Sequence, residues 1–247
     1  KDEEKRVGKI LKEFYPKKVL IHYGGQSAIK SGLLDRVKKA LDEENIAYCL
    51  CGGVVANPLL SKVNEGIRIC KEEGVDFILA VGGGSVLDSS KGIAYGVYNE
   101  GNVWDYYARK KKVKGALPMG CILTLAATGS EMSNSSVITN EDGNLKRGLS
   151  SEYGYFKFSI LNPELTYTVS QYQTMCGCTD IIMHTLERYF TPYQTLDLVD
   201  QMAESLVRTV IKNAKILLED PSNEQARSEI MWAGSVSHND MTGDRSL

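Results

Sequence analysis

What this sequence has little of narrows the field first. It has no excess of either charge, since 29 Lys and Arg face 31 Asp and Glu for a formal net charge of −2, so electrostatics give no reason to expect nucleic acid or an anionic membrane as partner. No apolar stretch approaches the length of a membrane span. There are only three histidines, which leaves few imidazoles for a metal site. Cysteine occurs six times, at 49, 51, 70, 121, 176 and 178, yet never as C-x-x-C; the thiols sit in apolar runs and read as reduced structural residues of a cytoplasmic protein. The one basic run, Arg109 to Lys112, is flanked by polar residues and reads as a solvated loop. G-x-G-x-x-G, the usual dinucleotide fingerprint, is also absent.

What is present is a strand–glycine–helix unit at the centre of the first half, from Asp76 to Ala94. Phe77 to Val81 is a short apolar run suited to a strand buried on both faces. Gly82, Gly83 and Gly84 follow, and from Ser85 the residues Val86, Leu87, Ser90 and Ala94 fall at helical spacing. Glycines there let a ligand approach the backbone, and the free N–H groups of a helix start favour a phosphate or pyrophosphate. A ligand-free βα turn has the same composition, so the unit alone leaves both readings open.

The flanking chain repeats the pattern. A helix is expected over 3–14, a strand over 18–23 closed by Gly24-Gly25, a helix over 27–44, a strand over 46–51 closed by Gly52-Gly53, and a helix over 59–73. Such alternation predicts a doubly wound parallel sheet whose ligands lie beyond the carboxyl ends of the strands. Beyond a loop holding Trp104, a strand over 119–125 runs into Thr124 to Glu131, rich in small and hydroxyl residues. A hairpin is expected around Asp142-Gly143 and a last strand at 158–161. From Tyr172 the pattern is helical, over 176–190, 195–218 and 223–237, with breaks at Pro192 and Pro221. Two domains are therefore expected: an α/β domain over 1–162 and an all-α domain over 163–247.

In the helical half, Asp180 and His184 stand at i and i+4, where a carboxylate and an imidazole share one helix face and could share a metal ion. A simple hydrogen bond between the two is the other reading of that spacing. His22 lies at a strand end, suited to packing or to the ligand side, and His238 would have to fold back to join the pair.

Together these residues resemble the iron-containing (group III) alcohol dehydrogenases, most closely the NADP-dependent butanol and aldehyde dehydrogenase branch. The resemblance rests on Y-G-G-Q-S at 23–27, A-N-P at 56–58 and A-V-G-G-G-S-V-L-D-S-S-K at 80–91. It is extended by P-M-G-C-I-L-T-L-A-A-T-G-S-E at 118–131, D-x-x-x-H at 180–184 and A-R-S-E-I-M-W-A at 226–233. It implies an N-terminal doubly wound dinucleotide-binding α/β domain and an all-α C-terminal domain of dehydroquinate-synthase-like architecture, with one divalent metal, iron or zinc, in the cleft. It further implies that Gly83, Gly84 and Ser85 with Asp88 hold the pyrophosphate. Thr124, Thr128, Ser133 and Ser135 would line the nicotinamide-ribose side, Asn57 the adenosine half, and Lys146 would contact a ribose or phosphate. Asp180 and His184 would be two of four metal ligands; no side chain is assigned as a catalytic acid or base.

The resemblance implies hydride exchange between a nicotinamide and a small aldehyde or primary alcohol, in a homodimer. NAD-preferring relatives carry an acidic residue just after the first strand seen here; that place holds Gly24 and Gly25, then Gln26 and Ser27, so NADP(H) is expected over NAD(H), with Gly25 and Ser27 near the 2′-phosphate. The family's first strand and its other two metal ligands would lie outside residues 1–247. A chain truncated at both ends in this way is expected to bind metal weakly and turn over little. A nucleotide-binding copy without turnover, or a dehydroquinate-synthase-like enzyme, are the rival readings; the latter needs a basic phosphate-binding set that is not evident near Asp180.

Overall fold

The structure, a computed structural model, describes residues 1–191 and 196–243. The expected break at Pro192 and the expected helix start at Thr195 lie outside the described residues. By internal packing the chain forms two compact units. One comprises Asp2–Ile122 and Asn134–Ile160; the other comprises Leu123–Ser133 and the chain from Leu161 on, together with Lys1.

The first unit is built on a five-stranded sheet in the order β2-β1-β3-β4-β7, with β1 at Val19–Tyr23, β2 at Tyr48–Cys51, β3 at Phe77–Gly82, β4 at Met119–Leu123 and β7 at Phe158–Ile160. β1 pairs in parallel with both β2 and β3, and β4 in parallel with β7. All of β3 is buried, as its unbroken apolar run requires in a sheet covered on both faces. The helices are α1 (Val7–Lys12), α2 (Ser27–Lys30), α3 (Leu33–Glu43), α4 (Leu60–Glu73), α5 (Gly84–Tyr98) and α6 (Trp104–Tyr107). α5 is buried on nearly every side between Val86 and Gly96, with Asp88 the half-exposed exception. It packs closely on α4 through glycines: a Cβ on Gly66 would lie 2.3 Å from the Ile93 side chain, and one on Gly96 2.1 Å from Ile67.

Three expectations need correcting here. The single helix over 27–44 is two, because Gly32 at φ +70° turns the chain left-handed between α2 and α3, a conformation that glycine adopts without a steric penalty. The strand into Thr124 stops at Leu123. The Trp104 loop contains the short helix α6, closed by the Ala108 amide donating to the Trp104 carbonyl. The hairpin is present as expected, β5 (Ser135–Asn140) pairing antiparallel with β6 (Leu145–Ser150).

The second unit contains α7 (Gln171–Tyr189), α8 (Asp197–Glu219) and α9 (Glu224–Val236). Ser170 caps α7 by accepting from the Gln173 amide, and Asn223 caps α9 by accepting from Ala226, as hydroxyl and amide side chains do at helix starts. Their shared core is Cys178, Ile181, Leu206, Val210, Leu217, Ala226, Ile230 and Ala233. No helix among the described residues is long and apolar enough to cross a membrane.

Candidate functional site

In the α/β unit the chain leaves β1 for β2 on one side and returns through α4 to β3 on the other. The connections therefore diverge between β1 and β3, the place where open parallel sheets bind ligands. Gly24 and Gly25 follow β1, and Gly82 ends β3, with Tyr23 in register with Val81. A Cβ on Gly82 would sit 2.5 Å from Val86 Cγ2, so glycine here lets the first turn of α5 settle onto the strand end. α5 starts with Gly83 as its N-cap and no side-chain cap, and Gly83, Gly84 and Ser85 are half-buried. An uncapped start on a helix of 15 residues presents backbone donors and the positive end of the helix dipole to an anion. Gly25 is exposed, and a Cβ there would meet nothing within 4 Å; Ser27 opens α2, also exposed.

The hairpin brings two further residues together. Lys146 Nζ donates to Asn57 Oδ1 at 2.8 Å across 89 positions of sequence. Asn57 holds a left-handed φ of +55° at a loop tip, which asparagine tolerates better than most residues. Asp88 is engaged with the backbone of β5: its Oδ2 accepts from the Val137 amide at 2.9 Å. The Ser135 carbonyl accepts from Lys91 Nζ at 2.8 Å.

Thr124, Thr128 and Ser133 belong to the other unit. There the segment 123–133 is seated on helices through glycines. A Cβ on Gly177 of α7 would lie 2.3 Å from the Ala126 carbonyl oxygen. One on Gly129 (φ +59°) would lie 2.4 Å from His238 Cβ and 2.6 Å from the Gly234 carbonyl oxygen. Ser235 Oγ donates to the buried Glu131 carboxylate at 2.6 Å. Within this segment Thr124 is half-buried, Thr128 exposed and Ser133 buried.

On α7, Asp180 Oδ1 lies 3.5 Å from His184 Nε2, and Glu187 Oε2 lies 3.7 Å from His184 Nδ1. The imidazole thus has a carboxylate near each ring nitrogen. Among the described residues no group of three or more His, Cys, Asp or Glu is placed to hold a metal; Asp180 and His184 supply one oxygen and one nitrogen of the kinds a divalent ion takes. Glu187 is absent from the sequence-based candidates, although its i+3 spacing from His184 is the signal for the outer carboxylate that histidine ligands commonly have. His238 does fold back to the pair, its ring meeting that of His184 edge-on with centroids 4.4 Å apart.

His22 is a packing residue. It is fully buried, its Nδ1–H donates to the Cys51 carbonyl at 2.8 Å, and Nε2 accepts from Ser89 Oγ at 2.9 Å. Since a carbonyl only accepts, Cys51 fixes the tautomer. Burial, partly offset by the bond to Cys51, lowers the ring pKa to about 4. Burial likewise pushes the thiols of Cys51 and Cys178 up to about 11 and of Cys70 to about 12, which leaves them as inert core groups.

A family model described as "Iron-containing alcohol dehydrogenase" matches residues 1–163, and one described as "Fe-containing alcohol dehydrogenase family, C-terminal" matches 174–242. The chain is 45% identical over 244 residues, 97% of its length, to a probable NADH-dependent butanol dehydrogenase 1 of Bacillus subtilis, covering 62% of that protein. It is 36% identical to the NADPH-dependent aldehyde reductase YqhD of Escherichia coli over 92% of its length, covering 59% of that relative. The solved structure of an NADH-dependent butanol dehydrogenase A from Thermotoga maritima superposes with a TM-score of 0.96 at 38% identity, over 98% of this chain and 61% of that one. The chain therefore spans about three-fifths of the length of these relatives.

Proposed function

We propose, on the premise that this chain belongs to the iron-containing alcohol dehydrogenase family, that the protein carrying it interconverts aldehydes and primary alcohols of the butanol type, with a nicotinamide dinucleotide as hydride partner. The observation that carries this reading is the α5 start without a side-chain cap at the β1/β3 divergence; the paired donors Asp180 and His184 on α7 support it separately.

A bound divalent ion, iron or zinc, would supply Lewis-acid polarisation of the substrate oxygen, and a bound nicotinamide the hydride. The remaining work belongs to the chain. The backbone amides of Gly83, Gly84 and Ser85 receive the diphosphate. Lys146 and Asn57 serve the adenosine side, with Gly25 and Ser27 at its ribose. Thr124, Thr128, Ser133 and Ser135 offer hydroxyls to the nicotinamide ribose. Asp180 and His184 hold the metal, while Glu187 faces the other imidazole nitrogen at 3.7 Å.

The names of the relatives divide on the cofactor, NADH in the Bacillus protein and NADPH in the Escherichia one. The residues favour NADP(H): Gly24 to Ser27 contain no carboxylate to hydrogen-bond a free ribose 2′-OH or to repel a 2′-phosphate. A homodimer in the cytoplasm belongs to the same reading. It is tested by following NADPH oxidation with butanal after metal removal by chelator and after adding back Fe²⁺ or Zn²⁺. Turnover should vanish with the metal, return on its addition, and stay absent in His184→Ala. Full turnover in the chelated protein would contradict it.

A further inference from the structure

One face of α5 carries Asp88, Lys91, Gly92 and Tyr95 at i, i+3, i+4 and i+7, the spacing that aligns side chains along a helix. Each meets the hairpin or the segment beside it. Asp88 Oδ2 accepts from the Val137 amide at 2.9 Å, and Lys91 Nζ donates to the Ser135 carbonyl at 2.8 Å. A Cβ on Gly92 would stand 2.6 Å from the Ile138 side chain, and Tyr95 Oη lies 2.3 Å from the place of a Cβ on Gly154. Lys91 is fully buried and also lies over the Phe156 ring, 5.3 Å from its centroid. Beside Gly92, Tyr107 Oη and Ser136 Oγ are hydrogen-bonded at 2.8 Å.

The Ser135 carbonyl and the Val137 amide are the groups one strand edge would offer to a neighbouring strand. Here a carboxylate and an ammonium take the place of that strand. A two-stranded hairpin is marginal alone, and β6 is almost wholly exposed, so its position depends on what grips β5. At the far end the Thr139 amide donates to the Pro58 carbonyl at 2.9 Å, and Thr139 is in register with Lys146.

We propose that Asp88 and Lys91 are positioning residues, which do not touch the dinucleotide but clamp the β5–β6 hairpin to α5 and so keep Ser135 and Lys146 in place. This rests on the dinucleotide reading above and revises it at one residue, since the resemblance had put Asp88 on the pyrophosphate. A carboxylate there would oppose an anion at close range, whereas on the Val137 amide it accepts a charge-assisted hydrogen bond.

The test has two readouts on the 247-residue chain. Amide exchange by NMR, without cofactor, should accelerate at Val137 at least tenfold in Asp88→Ala and stay near the parent rate in Asp88→Asn, whose side-chain oxygen still accepts. Unchanged exchange at Val137 in Asp88→Ala would overturn the clamp. NADPH fluorescence titration then asks how the clamp acts. Asp88→Ala should weaken binding roughly five- to tenfold, and combined with Lys146→Ala the losses should fall well short of their product, as for residues acting through one element. Full multiplicativity would mean that Asp88 acts on the dinucleotide separately and would overturn the positioning role. Absence of NADPH binding in the parent chain would remove the dinucleotide reading, and with it the positioning role, while the exchange rates would still decide the clamp.

Discussion

At the scale of single residues, His22 shows how burial sets a chemical property. Its folded-state pKa of about 4 lies below the ordinary value near 6.5. The unfolded chain therefore binds the extra proton first as pH falls. The stability this imidazole contributes is fully present above about pH 6.5 and is lost as pH drops towards 4, amounting to about 3 kcal/mol. His22→Gln keeps a donor for Cys51 and an acceptor for Ser89 but does not titrate. Urea midpoints between pH 7 and 4 should fall more steeply in the parent than in the variant; parallel curves would disprove the assignment. In the proposed dinucleotide reading, Gly25 is the residue on which cofactor choice turns. Because nothing lies within 4 Å of its missing Cβ and its φ is not left-handed, Gly25→Asp should fold normally. The new carboxylate should move kcat/KM roughly tenfold or more from NADP(H) towards NAD(H), as like charges at a recognition site do. An unchanged cofactor ratio would place the 2′-phosphate elsewhere.

At the scale of elements, α5 has two distinct parts: a first turn without a side-chain cap, proposed above to receive an anion, and a body locked in place. The lock is made by a glycine on each helix facing a large side chain on the other, Gly66 of α4 against Ile93 of α5 and Gly96 of α5 against Ile67 of α4. Gly66→Ala would put a methyl 2.3 Å from Ile93 Cδ1, and overpacking of that kind costs about 1–3 kcal/mol. The gain in helix propensity from replacing glycine, about 1 kcal/mol, offsets only part of this. Gly66→Ala is expected to lower the thermal midpoint by several degrees without altering NADPH affinity per folded molecule. Calorimetry on the two proteins checks it, and a raised midpoint would show that α4 and α5 have room to spare.

At the scale of the whole molecule, much of the architecture is written locally. Phe77–Gly82 reads as a buried strand because every residue in it is apolar or glycine, and the alternation of strands and helices predicts the parallel sheet. Gly32 escapes notice because the apolar spacing continues across it through Leu33 and Leu34. The packing of 123–133 with the helical unit is likewise invisible, since the contacts that secure it, Gly177 on Ala126 and Gly129 on His238, join residues far apart in sequence. Lys91 looks like any surface lysine until the fold buries it. Asp180 and His184 are legible as a pair because the helix period puts them on one face, while His238 becomes their neighbour only through tertiary packing.

The central claim is that the start of α5 receives the diphosphate of a dinucleotide. Ser85→Asp addresses it with little ambiguity, because an acidic residue in a helix's first turn stabilises the fold, typically by ~0.3–1 kcal/mol, yet would repel an anion bound at the same turn. NADPH titration by fluorescence, alongside thermal melts, should show an equal or higher melting temperature and an affinity lower by roughly a hundredfold, equivalent to about 3 kcal/mol. Undiminished NADPH affinity in Ser85→Asp would contradict the account.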